Sequence, residues 1–152
     1  MHTMKQTVRK ESVRCKVCGT INTFLYLSDF SYGQRLLLLD DGQHYALADL
    51  LQDNVWDEYY KTAEEIVKQS SVTYSDERLR EFVNQTFGVT CDRINDQSVA
   101  APQRQKRCSR CDALDWEPYL TEPEKTDVMA FPVVTHEGWR QLPSGEQRKI
   151  VF

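Results

Sequence analysis

The chain has 152 residues, 40% of them apolar and 11% aromatic, which is enough to build a hydrophobic core and excludes a disordered or fibrous protein. No apolar run exceeds the four residues Leu36-Leu37-Leu38-Leu39, which excludes a membrane-spanning helix, and no apolar stretch follows Met1-His2-Thr3-Met4-Lys5, so no signal peptide is expected. The net charge of −4 is unevenly spread: residues 1–18 carry five basic residues against one acid, 19–100 six against fourteen, 101–111 four against none, and 112–152 four against eight.

In chain order, Ser12–Arg14 are expected to lead as a strand into Cys15-Lys16-Val17-Cys18-Gly19, and Ile21–Leu27 to leave it as another. Asp29–Gln34 reads as a loop and Arg35–Leu39 as a buried strand. Asp41-Gly42 is a two-residue hairpin turn into a strand over Gln43–Ala46. The period then changes. Trp56, Tyr59, Tyr60, Ala63, Ile66 and Val67 recur at three- and four-residue intervals, while Asp57, Lys61, Glu64 and Lys68 form i,i+4 pairs, which predicts a helix over 48–69.

A second helix is predicted over 76–87, with Ser75 as N-cap and Gly88 as its stop. Residues 92–106 are polar and read as a loop returning to Cys108-Ser109-Arg110-Cys111. Beyond it, Trp116–Leu120, Val128–Val134, Trp139–Leu142 and Lys149–Phe152 read as short strands, with turns at Glu137-Gly138 and Pro143-Ser144-Gly145. The expectation is one α+β domain over residues 1–152, with mostly antiparallel strands and two helices. An insertion over 19–107 separates the two cysteine pairs, and a strand-rich segment over 112–152 follows.

The cysteine pairs carry the chemistry. A two-residue gap lets two thiolates grip one ion from a tight turn, and two such half-sites complete a tetrahedral set. Gly19 suits the turn because it adopts a positive φ without strain. Cys15, Cys18, Cys108 and Cys111 are therefore the expected ligands of one structural Zn²⁺. Separate sites drawing on Cys91, His2, His44 or His136, or disulfides, are the alternatives. Between Cys18 and Cys108 lie 89 residues, where a compact ribbon has about 15–20, so a shared ion closes the neck of a long loop. Five cysteines, mostly in metal-type pairs, suit a reducing compartment such as the cytoplasm.

These two motifs and their flanking strands resemble zinc-ribbon or zinc-knuckle proteins, which implies a structural zinc held by the four cysteines.

Other candidates are weaker. A zinc with four cysteine ligands has no open position for water. His136-Glu137 lacks a second His one helical turn away, and His44 is expected on a strand as a partly buried structural residue. Cys91 is expected as a buried thiol. No phosphate-binding glycine loop, nucleophile elbow or His-Glu-x-x-His motif occurs, so no catalytic residue is assigned. The Trp56, Tyr59 and Tyr60 stripe, with Tyr26, Phe30 and Tyr32, reads mainly as core. Two binding surfaces remain. The acids of the insertion, with Asp53, Asp57 and Glu64 as representatives, would engage a basic protein partner such as a toxin or nuclease, in the manner of an inhibitor or immunity-type protein. The basic knuckles, with Lys16, Arg107 and Arg110, would contact nucleic acid or simply stabilise the zinc thiolates. An enzyme with a structural zinc is the third possibility.

Overall fold

The computed structural model describes residues 2–28, 33–71 and 73–151. Most of the Asp29–Gln34 loop, with Phe30 and Tyr32, lies outside them, as does Phe152. The chain forms β1 (Thr3–Cys15), β2 (Ile21–Leu27), β3 (Gln34–Leu38), β4 (Tyr45–Asp49), α1 (Val55–Gln69) and α2 (Asp76–Thr86), then a 3-10 turn over Phe87–Thr90. After a long loop come β5 (Trp116–Leu120), β6 (Lys125–Pro132), α3 (Glu137–Gln141) and α4 (Ser144–Val151). The architecture is α+β.

The first sheet is built on β1. One edge pairs antiparallel with β2, Val8 opposite Leu27 through Arg14 opposite Ile21. Along the other edge the chain returns in two successive pieces: Cys15 faces Trp116 and Val13 faces Leu120, then Lys10 faces Lys125 through to Thr3 facing Pro132. β1 is thus a central strand of 13 residues, where the sequence predicted only Ser12–Arg14. Its polar residues conceal it. Backbone pairing on both edges, with Met4 and Val8 turned inward, stabilises a stretch whose own strand propensity is weak.

β3 and β4 form a separate antiparallel hairpin wedged between this sheet and the helices. Leu36, Tyr45 and Leu47 pack with Val8 and Phe131 toward the sheet, whereas Leu37, Leu39, Ala46 and Ala48 join the core of the helical layer. Burial on both faces explains the unbroken leucine run. The hairpin loop is longer than the expected two residues. Leu39 N–H bonds the His44 carbonyl at 2.9 Å, and Asp41 Oδ1 accepts from the amides of Gln43 and His44 at 2.8 and 3.0 Å. The second strand therefore starts at Tyr45 and runs to Asp49, which displaces the predicted helix start from 48 to Val55. Asp49 ends the strand by accepting from Leu51 and Gln52 amides at 3.1 and 3.3 Å.

α1 buries Val55, Tyr59 and Ala63, and α2 buries Leu79 and Val83, as the three- and four-residue spacing requires. Tyr59 is fully buried, its hydroxyl 2.7 Å from Thr86 Oγ1, and Trp56 stacks on Tyr60; this part of the aromatic set is core. Ser75 caps α2, accepting from the Arg78 amide at 3.2 Å. Gly88 does not stop the helix by a positive φ. It sits inside the 3-10 turn, where a Cβ would lie 2.7 Å from the Ala100 carbonyl oxygen. Close approach is the reason for glycine there.

The last segment differs most from expectation. Trp139–Leu142 and Lys149–Phe152 were expected as strands, but α3 and α4 occupy the region, and Glu137-Gly138 opens α3 instead of forming a turn. The segment after the second knuckle thus holds two helices as well as two strands, and the described residues form four helices, not two. Asp92, 45 residues upstream, caps α3 from across the fold, accepting from the amides of Glu137 and Gly138 at 2.9 and 3.0 Å. Trp139 then packs against Tyr59, ring centroids 5.7 Å apart, and Val151 is buried.

Candidate metal centre

The zinc-type pairs meet at one end of the first sheet. β1 ends on Cys15, β2 begins just after Cys18, and β5 begins just after Cys111. Both knuckles use the same hydrogen bonds. The Gly19 amide bonds the Cys15 carbonyl and the Cys15 amide the Thr20 carbonyl; likewise the Asp112 amide bonds the Cys108 carbonyl and the Cys108 amide the Ala113 carbonyl, all at 2.9 Å. Asp112 therefore stands where Gly19 stands in the first knuckle. Both adopt a left-handed backbone, with φ of 76° at Gly19 and 61° at Asp112. Aspartate is among the few side chains that tolerate this region. That equivalence was present in the sequence as Cys-x-x-Cys followed by Gly or Asp, but only Gly19 signals it by type.

The four sulfurs lie within 4.8 Å of one another. Cys15 to Cys111 and Cys18 to Cys108 are each 3.5 Å, and all are free thiols. A tetrahedral ion with sulfur at about 2.3 Å requires sulfurs about 3.8 Å apart. The cysteines are thus positioned to bind one metal ion, and the all-thiolate donor set is consistent with zinc. A disulfide, with sulfurs about 2.05 Å apart, does not fit these separations. Cys91 is elsewhere, beside Thr90, and burial pushes its thiol up to about 12. His2, His44 and His136 do not join the cluster.

Asn22, at the start of β2, locks the two knuckles together. Its side chain is buried, its Nδ2 donates to Cys108 Sγ at 3.4 Å and to the Thr20 carbonyl at 3.3 Å, and its Oδ1 accepts from the Ser109 amide at 2.8 Å. Nothing in the sequence singled it out. The Cys111 and Arg110 amides, with Asn22, draw the Cys108 thiol down to about 6, and the Thr20 hydroxyl and amide lower that of Cys18. The Ala113 amide favours the Cys111 thiolate too, but partial desolvation and the neighbouring sulfurs outweigh it and push this thiol up to about 12. Four crowded sulfurs cannot all ionise unaided, whereas a divalent cation favours the thiolates. Around them, Trp116 meets Phe24 edge-on at 5.1 Å and donates its indole N–H to the Lys106 carbonyl at 3.2 Å. The Lys106 ammonium rests 3.4 Å from the Tyr26 ring centroid, and burial draws it down to about 8.

The basic knuckle face is less open than the charge partition suggests. Lys16 lies 3.9 Å from Asp115, Arg107 3.7 Å from Asp112, and Arg14 3.8 Å from Glu117. The acids of the following segment fold back onto the basic ones. Arg110 is exposed. The acidic candidates also separate. Asp53 is occupied internally, accepting from Arg140 at 2.7 Å and the Val55 amide at 3.0 Å, with His136 Nε2 at 3.5 Å. Asp57 is exposed in the first turn of α1, and Glu64, two turns along the same face, lies 3.5 Å from Lys68.

The expectation of a partly buried His44 on a strand is not met. His44 is exposed beside Asp41, while His136 is buried, its Nδ1 donating to the Thr90 carbonyl at 3.0 Å, and burial lowers its proton affinity. No helix among the described residues is long and apolar enough to cross a membrane. Comparison with protein-family models, curated proteins and solved structures gives no match to this chain.

Proposed function

We propose that this chain is a non-catalytic binding protein, held by a structural zinc at Cys15, Cys18, Cys108 and Cys111, that engages a basic protein partner through its acidic helical layer. The carrying observation is the sulfur cluster. Four protein thiolates fill all four positions of a tetrahedral ion, so the metal ties the N-terminal hairpin to the segment entering β5 and leaves no coordination site for substrate. The charge arrangement supports the partner class. The knuckle cations Lys16 and Arg107 are paired within the molecule, whereas Asp57, Glu58, Asp76, Glu77 and Glu81 are exposed on α1 and α2. A basic toxin or nuclease, neutralised as an immunity-type protein would neutralise it, is the partner that such a surface suits.

The test uses Asp57→Lys with Glu64→Lys and leaves Asp53 intact, because Asp53 serves the fold. Proteins co-purifying with the zinc-loaded wild type are identified, and association is timed at several salt concentrations. Slower, less salt-dependent association of the variant supports the reading. Unchanged association with the partner, together with nucleic-acid binding that Lys16, Arg107 and Arg110 substitutions abolish, would replace it with the nucleic-acid reading.

A further inference from the structure

A cleft of about 350 Å³ runs along the outer edge of β3, between β2 and the loop that descends to the second knuckle. Arg35, Arg104 and Lys106 line it, and no carboxylate does. That is unexpected in a chain with 23 acids against 19 Lys and Arg. The larger cleft on the inner face of the first sheet, about 690 Å³, shows the ordinary arrangement: Lys10 meets Asp127 at 2.9 Å and Lys125 meets Glu122 at 3.5 Å.

In the β3 cleft no carboxylate among the described residues lies within ion-pair distance of the cations, and Glu11 acts on Lys106 only from farther off. Arg35 is half-buried and makes no ion pair among the described residues, and desolvation lowers its proton affinity. Among the described residues Arg104 donates only to the Asp40 carbonyl, and Lys106 rests on the ring of Tyr26. An uncompensated, half-desolvated guanidinium works against folding. Asn84 adds a neutral donor: its Oδ1 accepts from the Trp56 indole at 3.1 Å, which leaves its NH₂ group for the cleft. Leu36 supplies an apolar wall.

We propose that this cleft binds a small organic dianion, a phosphate monoester with an apolar body, whose phosphate meets Arg35 and Lys106 with Arg104 at the rim. A forked guanidinium recognises phosphate oxygens in pairs, three cations favour a dianion over a monoanion, and the volume suits a small-molecule ligand. The site is separate from the metal and from the acidic helical surface. It gives the basic segment before Cys108 a role other than lining the metal.

The zinc-loaded full chain is titrated with phenyl phosphate by calorimetry, with inorganic phosphate and phenol as controls. One molecule of phenyl phosphate per chain is expected to bind, more tightly than inorganic phosphate, and phenol is not. Arg35→Met is expected to weaken binding about tenfold or more, while its melting temperature in anion-free buffer stays level or rises, because an unpaired buried charge has gone. An arginine with a purely structural role would lower that temperature. Should Arg35→Met fail to fold, Arg104→Gln at the exposed rim decides the matter, with a loss of about threefold or more expected. No saturable binding up to about 10 mM phenyl phosphate, equal affinity for inorganic phosphate, or unchanged affinity in the folded variants would each overturn the proposal.

Discussion

Removing the metal gives the sharpest prediction. One ion held by both knuckles would close the 89 residues between Cys18 and Cys108 into a loop. Treated as a cross-link on the unfolded chain, a loop of that length is worth about 4 to 5 kcal/mol. A domain of this size is stable by about 5–15 kcal/mol in all, so the metal-free chain should lose about a third of its stability or more. The perturbation is chelation under reducing conditions, and the assay is guanidinium unfolding of loaded and chelated protein. Trp116 reports locally, since it touches the second knuckle through Lys106, whereas Trp56 and Trp139 belong to the helical core. A chelated chain should show a lower midpoint, a changed Trp116 signal even before unfolding, and recovery on adding zinc. A midpoint that is unchanged after elemental analysis confirms the metal's removal would refute the cross-link argument, and so would a native disulfide between Cys15 and Cys18.

Other measurements probe individual contacts. Asn22→Ala should destabilise the zinc-loaded chain by about 1–3 kcal/mol, because the Ser109 amide and the buried Cys108 sulfur both lose their partner; chemical denaturation reads this, and a change below about 0.5 kcal/mol would remove Asn22 from the centre. Asp92→Ala should lose about 1–2 kcal/mol and expose Trp139 to quenchers, since α3 forfeits its cap; unaltered quenching contradicts that. His136 should make the fold acid-sensitive. It faces Asp53, Arg140, Asp92 and Thr90, and burial lowers its folded pKa below the ordinary value of about 6.5, so the unfolded state takes up the proton first. Stability should therefore fall as the pH drops through about 6.5, and more steeply than in His136→Gln; parallel profiles would show that folding does not lower the proton affinity of His136.

What the sequence determined by itself was local. The Cys-x-x-Cys spacing and Gly19 specified a metal-gripping turn, the apolar period of residues 55–69 specified α1, and Ser75 marked the start of α2, because each signal acts within about four or five residues. Tertiary structure decided what depends on distant partners. Residues 3–11 became the first part of a central strand because β6 pairs with Thr3–Lys10 and β2 with Val8–Arg14, so that both edges are filled where the two overlap. Short segments such as Trp139–Leu142, apolar only at their two ends, fit either period, and the choice fell to helix once Asp92 capped α3 and Tyr59 received Trp139. Charge followed the same division: composition located the basic segments, but only the fold showed Asp112 and Asp115 pairing the knuckle cations while Arg35 makes no ion pair among the described residues. Coulomb energies depend on separation through space and on local burial, and neither is written in the order of residues along the chain.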